Sequence, residues 1–120
     1  IARFDHIAIA LVRKICREHG VNCVLSSVWR KQYTALQMSE AFDLPIQDTT
    51  RIRYSGETRG HEIQEWLDKH PEVEEYAILD DDNDMLDHQK ERLVQTCPLD
   101  GFRYNDYIKL KQVLKIKEKK

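Results

Sequence analysis

The chain has 120 residues, 41% of them hydrophobic and 33% charged, which is the composition of one soluble globular domain. No apolar run approaches the roughly 20 residues of a membrane helix, and no signal peptide is apparent at the N-terminus. Three cysteines, Cys16, Cys23 and Cys97, form no CxxC pair. This pattern argues against a zinc site or disulfide framework and predicts reduced thiols in the cytoplasm. Because the chain opens at Ile1 rather than methionine, we expect residues 1–120 to be a single domain that is incomplete at its N-terminus.

The net charge of −2 hides an uneven distribution. Residues 71–100 contain ten acidic and two basic side chains, whereas the last ten residues carry five lysines and one glutamate. Such a split predicts a cation site in the acidic part and an anion-facing surface elsewhere. The basic tail, residues 115–120, is typical of a frayed and solvated chain end.

The first predicted element is a helix over residues 6–19. Ile7, Leu11 and Ile15 repeat at helical spacing, and Gly20 supplies the left-handed stop that often ends a helix.

A short apolar run at residues 21–25 predicts a buried strand, with the hydroxyls of Ser26 and Ser27 at its carboxyl end. Residues 33–42 favour a second helix, and Pro45 follows its end.

Residues 46–54 look extended, with a short strand predicted at 51–54. Arg59 then precedes an amphipathic helix. Its apolar residues at helical spacing are Ile63, Trp66 and Leu67.

The central stretch is an apolar run at residues 76–79 that changes abruptly into four carboxylates within five residues. The apolar run reads as a buried strand, and ligands of open α/β sheets bind beyond the carboxyl ends of such strands. Carboxylates packed this closely repel one another, and a bound divalent cation relieves the repulsion. The alternative is a solvated acidic loop. The four carboxylates are Asp80, Asp81, Asp82 and Asp84.

A short helix over residues 85–90, a strand over 92–96, a turn over 98–101 and a helix over 104–114 complete the chain. Strands that alternate with helices predict an α/β fold with a mainly parallel sheet in three α/β/α layers.

Three features fall at strand ends or at a helix start. The Ser26 hydroxyl can donate to a phosphate oxygen, and Arg59 offers a cation together with helix amides. Asp80, Asp81 and Asp84 offer hard oxygen ligands for Mg²⁺. Together these groups predict a phosphoryl-transfer site in which the nucleophile is missing.

These features resemble the haloacid dehalogenase (HAD) superfamily, and more closely the small HAD domains of phage and bacterial proteins and of multi-enzyme RNA-repair proteins. The resemblance covers about residues 4–101, and its motifs are specific in combination and weak singly. It rests on the segments VLSSVWR (residues 24–30), RGHEIQEWL (59–67) and ILDDD (78–82).

The resemblance implies a Rossmannoid fold and a Mg²⁺-dependent phosphatase. Ser26, with Ser27 as runner-up, matches the residue that binds the phosphoryl group. Arg59 matches the basic residue that neutralises the phosphate and the phospho-aspartyl intermediate.

The resemblance further implies that Asp80 and Asp81 hold Mg²⁺, with Asp84 at the later acidic position. The substrate it implies is a nucleotide or a polynucleotide phosphate end. Arg30, beside Trp29, is a candidate contact to a nucleic-acid backbone, although a solvated side chain or an ion pair with a nearby carboxylate is the better explanation.

The first superfamily motif is a DxD that follows an apolar strand, and no such motif occurs before Ser26. Asp5 is the only aspartate before Ser26, and it stands at a helix start. Without that strand, backbone groups in the middle of the sheet lose their partners. We therefore expect an upstream segment or a second chain to complete the sheet.

Three alternatives were weighed. An EF-hand is disfavoured because Met85 stands where its loop needs glycine. A response-regulator receiver domain places its acidic residues before its hydroxyl, which is the reverse order. A HAD-like binding or adaptor module that keeps the fold without the chemistry remains open.

Overall fold

Short parallel strands alternate with helices in the computed structural model, as an α/β fold requires. The structure describes residues 6–26, 33–51, 58–81, 83–96 and 102–116. Its elements are α1 (His6–His19), β1 (Cys23–Leu25), α2 (Ala35–Phe42), β2 (Ile46–Thr49), α3 (Arg59–Asp68), β3 (Ile78–Asp80), a 3₁₀ helix (Asp87–Arg92), β4 (Leu93–Gln95) and α4 (Tyr104–Val113). The predicted fold class is confirmed.

Local sequence signals set the end of α1 and both ends of α2. The chain leaves α1 through Gly20, which has a φ of 65°, as predicted. Thr34 caps α2 reciprocally with Gln37: the Gln37 amide donates to Thr34 Oγ1 at 3.1 Å, and the Thr34 amide donates to Gln37 Oε1 at 2.8 Å. The helix ends at Asp43 in the left-handed region.

The strands form two parallel pairs rather than one sheet. β1 pairs with β2, and β3 pairs with β4 in the register Ile78↔Leu93 and Asp80↔Gln95. Among the described strands, no hydrogen bonds join the two pairs. A cavity of about 670 Å³ lies between them, here called the inter-sheet groove. Its apolar lining includes Val24 of β1, Ile78 and Leu79 of β3, Ile15 of α1, Trp66 of α3 and Leu110 of α4.

Two strands lie elsewhere than predicted. β2 begins directly after Pro45, and Arg51 lies beyond its end, whereas residues 52–54 of the predicted strand lie outside the described part of the chain. The buried Ile46 explains where β2 begins, because it packs on the core of α2 while its strand pairs with β1. The central strand begins at Ile78, two residues later than predicted, and includes Asp80. A strand rather than a helix leads into the carboxylates, which excludes an EF-hand.

The core consists of three clusters of buried side chains that tie helices to strands. One of them packs beneath the acidic loop and holds it on the sheet. The clusters are Ile15, Val94, Tyr107 and Leu110; Met38, Phe42 and Ile46; and Ile78, Met85 and Leu93. None of the helices that the structure describes is long and apolar enough to cross a membrane.

The orientation of α3 is set by a polar contact as well as by packing. Trp66 Nε1 donates to Asp48 Oδ2 of β2 at 2.7 Å, and the indole ring stacks on His70 at 3.8 Å between centroids. Trp66 was predicted as a core residue, and the structure shows that it also links α3 to β2. The start of α3 is thereby directed towards the end of β3.

Candidate active site

Arg59 and Asp80 form the centre of the site. Asp80 is the last residue of β3, and Arg59 is the first residue of α3. Arg59 Nη1 donates to Asp80 Oδ2 at 2.5 Å, and the side chains are 27% and 4% exposed. Burial lowers the pKa of Arg59, but the hydrogen bond to Asp80 and the neighbouring carboxylates together raise this pKa above its ordinary value. Arg59 therefore remains a cation at this position.

Asp84 occupies the N-terminus of α3. The backbone amide of Arg59 donates to Asp84 Oδ2 at 3.4 Å, and the amide of Gly60 donates to the Asp84 carbonyl oxygen at 3.3 Å. A carboxylate is favourable here because the first amides of a helix carry partial positive charge. We expected these amides to be available for an external anion, and instead Asp84 uses two of them. Its other oxygen, Oδ1, is buried and has no hydrogen-bond partner among the described residues.

The remaining predicted residues lie on either side of the groove or outside the described ranges. Asp81 follows β3 with an exposed side chain. Ser26 follows β1, is half-buried and lines the inter-sheet groove. The structure thus brings Arg59, Asp80 and Asp84 together. Ser27 and Arg30, predicted to bind substrate, lie outside the described residues, as does Asp82.

Within the described ranges, no group of three metal-binding side chains is close enough to hold an ion. Asp80 is bound to a guanidinium instead. The donor types nevertheless suit Mg²⁺, which binds through one or two carboxylates together with water and substrate phosphates. The exposed carboxylate of Asp81 and the unpartnered Oδ1 of Asp84 are such donors. Magnesium binding by Asp80, Asp81 and Asp84 stays a prediction.

The sequence analysis missed two residues that position the site, Gly60 and Gln89. Gln89 is fully buried; its Nε2 donates to the Gly60 carbonyl at 3.0 Å, and its Oε1 accepts from the Leu86 amide at 3.0 Å. A Cβ on Gly60 would lie 2.7 Å from the Leu86 nitrogen and 2.9 Å from Met85 Cα. The loop that carries Asp84 therefore packs directly on the first turn of α3.

Gly60 and Gln89 differ in how clearly the sequence signals their roles. A glycine in the first turn of a predicted helix is a signal of close backbone approach. A glutamine after an acidic run carries no such signal, because its role depends on which backbone groups the fold leaves unpaired around it.

Comparison with known proteins agrees with this geometry. A family model described as the HAD domain in Swiss Army Knife RNA repair proteins matches residues 1–107, which is most of the chain. No curated protein and no solved structure matches. The matched region includes all the described site residues, from Ser26 to Asp84. The chain therefore belongs to this family of HAD domains.

Proposed function

We propose that this domain belongs to a Mg²⁺-dependent phosphohydrolase that acts through a phospho-aspartate on a nucleotide or a nucleic-acid phosphate end. Membership of the HAD superfamily indicates a hydrolase of the phosphatase type. The observation that carries the proposal is the joint placement of Arg59, Asp80 and the unpartnered oxygen of Asp84 at the start of α3. The RNA-repair description of the matched family supports the substrate class.

Each side chain has a role that its chemistry supports. The Ser26 hydroxyl donates to a phosphate oxygen, and the Arg59 guanidinium neutralises the transferring group. Bound Mg²⁺ supplies positive charge that shields the attacking carboxylate from the phosphate. Asp80 is almost fully buried, so its carboxylate needs a positive partner at all times. Arg59 therefore turns towards a phosphate only when another cation compensates Asp80.

The nucleophile comes from a strand outside residues 1–120. We infer that this strand carries the DxD motif and occupies the inter-sheet groove. The groove supports this placement, because β1 and β3 both line it and Ser26 stands at its β1 side. Leu79 of β3 is 40% exposed, and such a strand would cover this apolar side chain.

The proposal is tested by phosphate release from mononucleotides and from 5′- and 3′-phosphorylated oligoribonucleotides, using the full-length natural protein with and without Mg²⁺. We expect phosphate release to depend on Mg²⁺. Asp81→Ala should lower the rate by at least about 100-fold, because it removes a proposed ligand of the ion that stabilises charge in the transition state. Folding should be retained, since the Asp81 side chain is exposed.

The matched control is Asp87→Ala, which removes an exposed carboxylate from the same acidic region. It should keep the turnover of the unmodified protein. Wild-type turnover in Asp81→Ala, or full turnover after chelation of divalent ions, would show the metal assignment to be wrong.

The second candidate is a HAD-like binding module without catalysis. It is favoured by the absence of a DxD motif before Ser26 and by the engagement of Asp80 with Arg59. Under this alternative, the full-length protein binds phosphorylated oligonucleotides but releases no phosphate with any divalent ion. Binding measured by fluorescence anisotropy, run beside the release assay, separates the two candidates.

A further inference from the structure

Cys16 and Cys23 lie in contact although they belong to different elements. Cys16 is in α1 and Cys23 is the first residue of β1, and the left-handed turn at Gly20 folds the chain back between them. Their sulfur atoms are 3.7 Å apart. Both thiols are free. Nothing in the proposed phosphohydrolase mechanism uses either of them.

Cys16 is a buried residue that two cavities reach. It lies between the inter-sheet groove and a second cavity of about 490 Å³, which Arg13, Arg17 and Asp43 also line. The guanidinium of Arg17 donates to Asp43 Oδ2 at 2.8 Å, and that of Arg13 donates to the Asp43 carbonyl oxygen at 3.0 Å. Glu40 lines the same cavity, so two cations and two carboxylates surround this wall and their formal charges balance.

The two thiols are not equivalent. A hydrogen bond from Cys23 lowers the pKa of Cys16, and the same contact together with burial raises the pKa of Cys23. Cys16 is thus the better nucleophile, and Cys23 is the partner that keeps its proton.

We propose that Cys16 and Cys23 are an oxidation site, at which a peroxide converts the two thiols into an intramolecular disulfide. The Cys16 thiolate attacks one peroxide oxygen, forming a sulfur–oxygen bond while the oxygen–oxygen bond breaks and hydroxide leaves. The Cys23 sulfur then attacks the Cys16 sulfur, forming the disulfide while the sulfur–oxygen bond breaks. The Cys23 proton leaves with the departing hydroxide as water, so two thiols lose two electrons and two protons to one peroxide.

The sulfur atoms already lie in contact at 3.7 Å, and a disulfide brings them to about 2.0 Å. Because both cysteines line the inter-sheet groove, the bond would fix α1 to β1 on its wall. The inference does not rest on the proposed phosphohydrolase activity.

The test is hydrogen peroxide treatment of the reduced protein, followed by alkylation, tryptic digestion without reductant and mass spectrometry. Trypsin cuts after Lys14, Arg17 and Arg30, so the two cysteines fall in separate peptides, residues 15–17 and 18–30. We expect these peptides to be linked, about 2 Da lighter than the sum of the reduced peptides, and separated again by dithiothreitol.

The controls use the third cysteine and the unfolded chain. Cys97→Ser should form the same linked peptide as the unmodified protein, whereas Cys16→Ser and Cys23→Ser should not form it. Linkage should be faster in the folded protein than in denaturant, because the fold creates the contact. Irreversible oxidation of unlinked Cys16, preferential linkage to Cys97, or equal rates in denaturant would overturn the proposal.

Discussion

Gly60 is the residue at which the acidic loop and α3 approach most closely. Its missing side chain lets the backbone of Leu86 and Met85 lie against the helix start, where Arg59 and Asp84 meet. A larger residue has no room, because two of the nearest atoms belong to the backbone rather than to a flexible side chain. The position of Asp84 relative to Arg59 thus depends on a glycine that takes no part in the chemistry.

We expect Gly60→Ala to lower the free energy of unfolding by about 1–3 kcal/mol, the usual cost of overpacking, although alanine is the better helix former. Urea denaturation followed by circular dichroism measures the change. Gln112→Ala, at an exposed position of α4, is the control and should change stability by less than about 0.5 kcal/mol. Unchanged stability in Gly60→Ala would mean that the loop does not pack on α3 in solution.

Cys16 and Cys23 show how a role can be invisible at the residue scale. Considered alone, Cys23 lies in the apolar run at residues 21–25, which indicates a plain core side chain, and its strand position agrees with that interpretation. Only the turn at Gly20 brings the two thiols into contact. The sequence spacing of seven residues does not by itself indicate a pair.

At the scale of elements, three parts of the chain converge on Glu75, which precedes β3. Its carboxylate binds Arg92 Nη1 at the end of the 3₁₀ helix, and Lys115 Nζ, beyond the end of α4, lies 3.2 Å from the other oxygen. Arg92 also lies over the ring of Tyr76, 5.2 Å from its centroid. Hydrogen bonds from Arg92 and Lys115 lower the pKa of Glu75 below its ordinary value.

This shift predicts a pH dependence. A carboxyl whose pKa is lower in the folded than in the unfolded state stabilises the fold above its unfolded pKa, about 4.3, and this contribution is lost as the pH falls through the folded pKa. Glu75→Gln should therefore reduce stability at pH 7, and the difference from the unmodified protein should shrink below pH 4.

Urea denaturation of both proteins at pH 7, 5 and 3 gives the comparison. Glu74→Gln, which neutralises the exposed neighbouring carboxylate, is the matched control and should show no such dependence. A constant difference between Glu75→Gln and the unmodified protein across the pH range would contradict the assigned ion pairs.

At the scale of the whole molecule, the two parallel pairs face a common apolar groove between helices. Parallel strands are normally covered on both faces and, inside a sheet, hydrogen-bonded to a neighbour on each edge. In the described structure, by contrast, β1 and β3 each have a paired neighbour on one edge. An added strand would satisfy both edges at once. Backbone hydrogen bonding then provides the affinity, as in other cases where a peptide extends a sheet.

We predict that a synthetic apolar peptide ending in Asp-x-Asp binds residues 1–120 in the inter-sheet groove. Fluorescence anisotropy of the labelled peptide measures binding. A peptide with proline at its centre should bind at least about ten-fold more weakly, because proline removes a backbone donor. Leu79→Arg, which places a charge on the groove side of β3, should weaken binding as well.

Equal binding of the native and proline-containing peptides would exclude strand addition and would leave non-specific contact with apolar surface as the explanation. A peptide that binds without inducing phosphate release would separate completion of the sheet from catalysis.

The sequence alone determined the alternation of strands and helices, the carboxylate cluster after β3 and the arginine at the start of α3. These features follow from local periodicity, from turn residues such as Gly20 and from the chemistry of neighbouring side chains. The shared motifs identified the superfamily, and the family comparison confirmed it.

Only the tertiary structure decided which of these groups meet. It paired Arg59 with Asp80, directed Asp84 to the amides of α3 and placed Gln89 beneath Gly60. It also divided the strands into two pairs around a groove and brought two cysteines together. These contacts join residues distant in the chain, or residues whose separation follows no helical or strand period. They depend on how elements pack, which local sequence patterns do not specify.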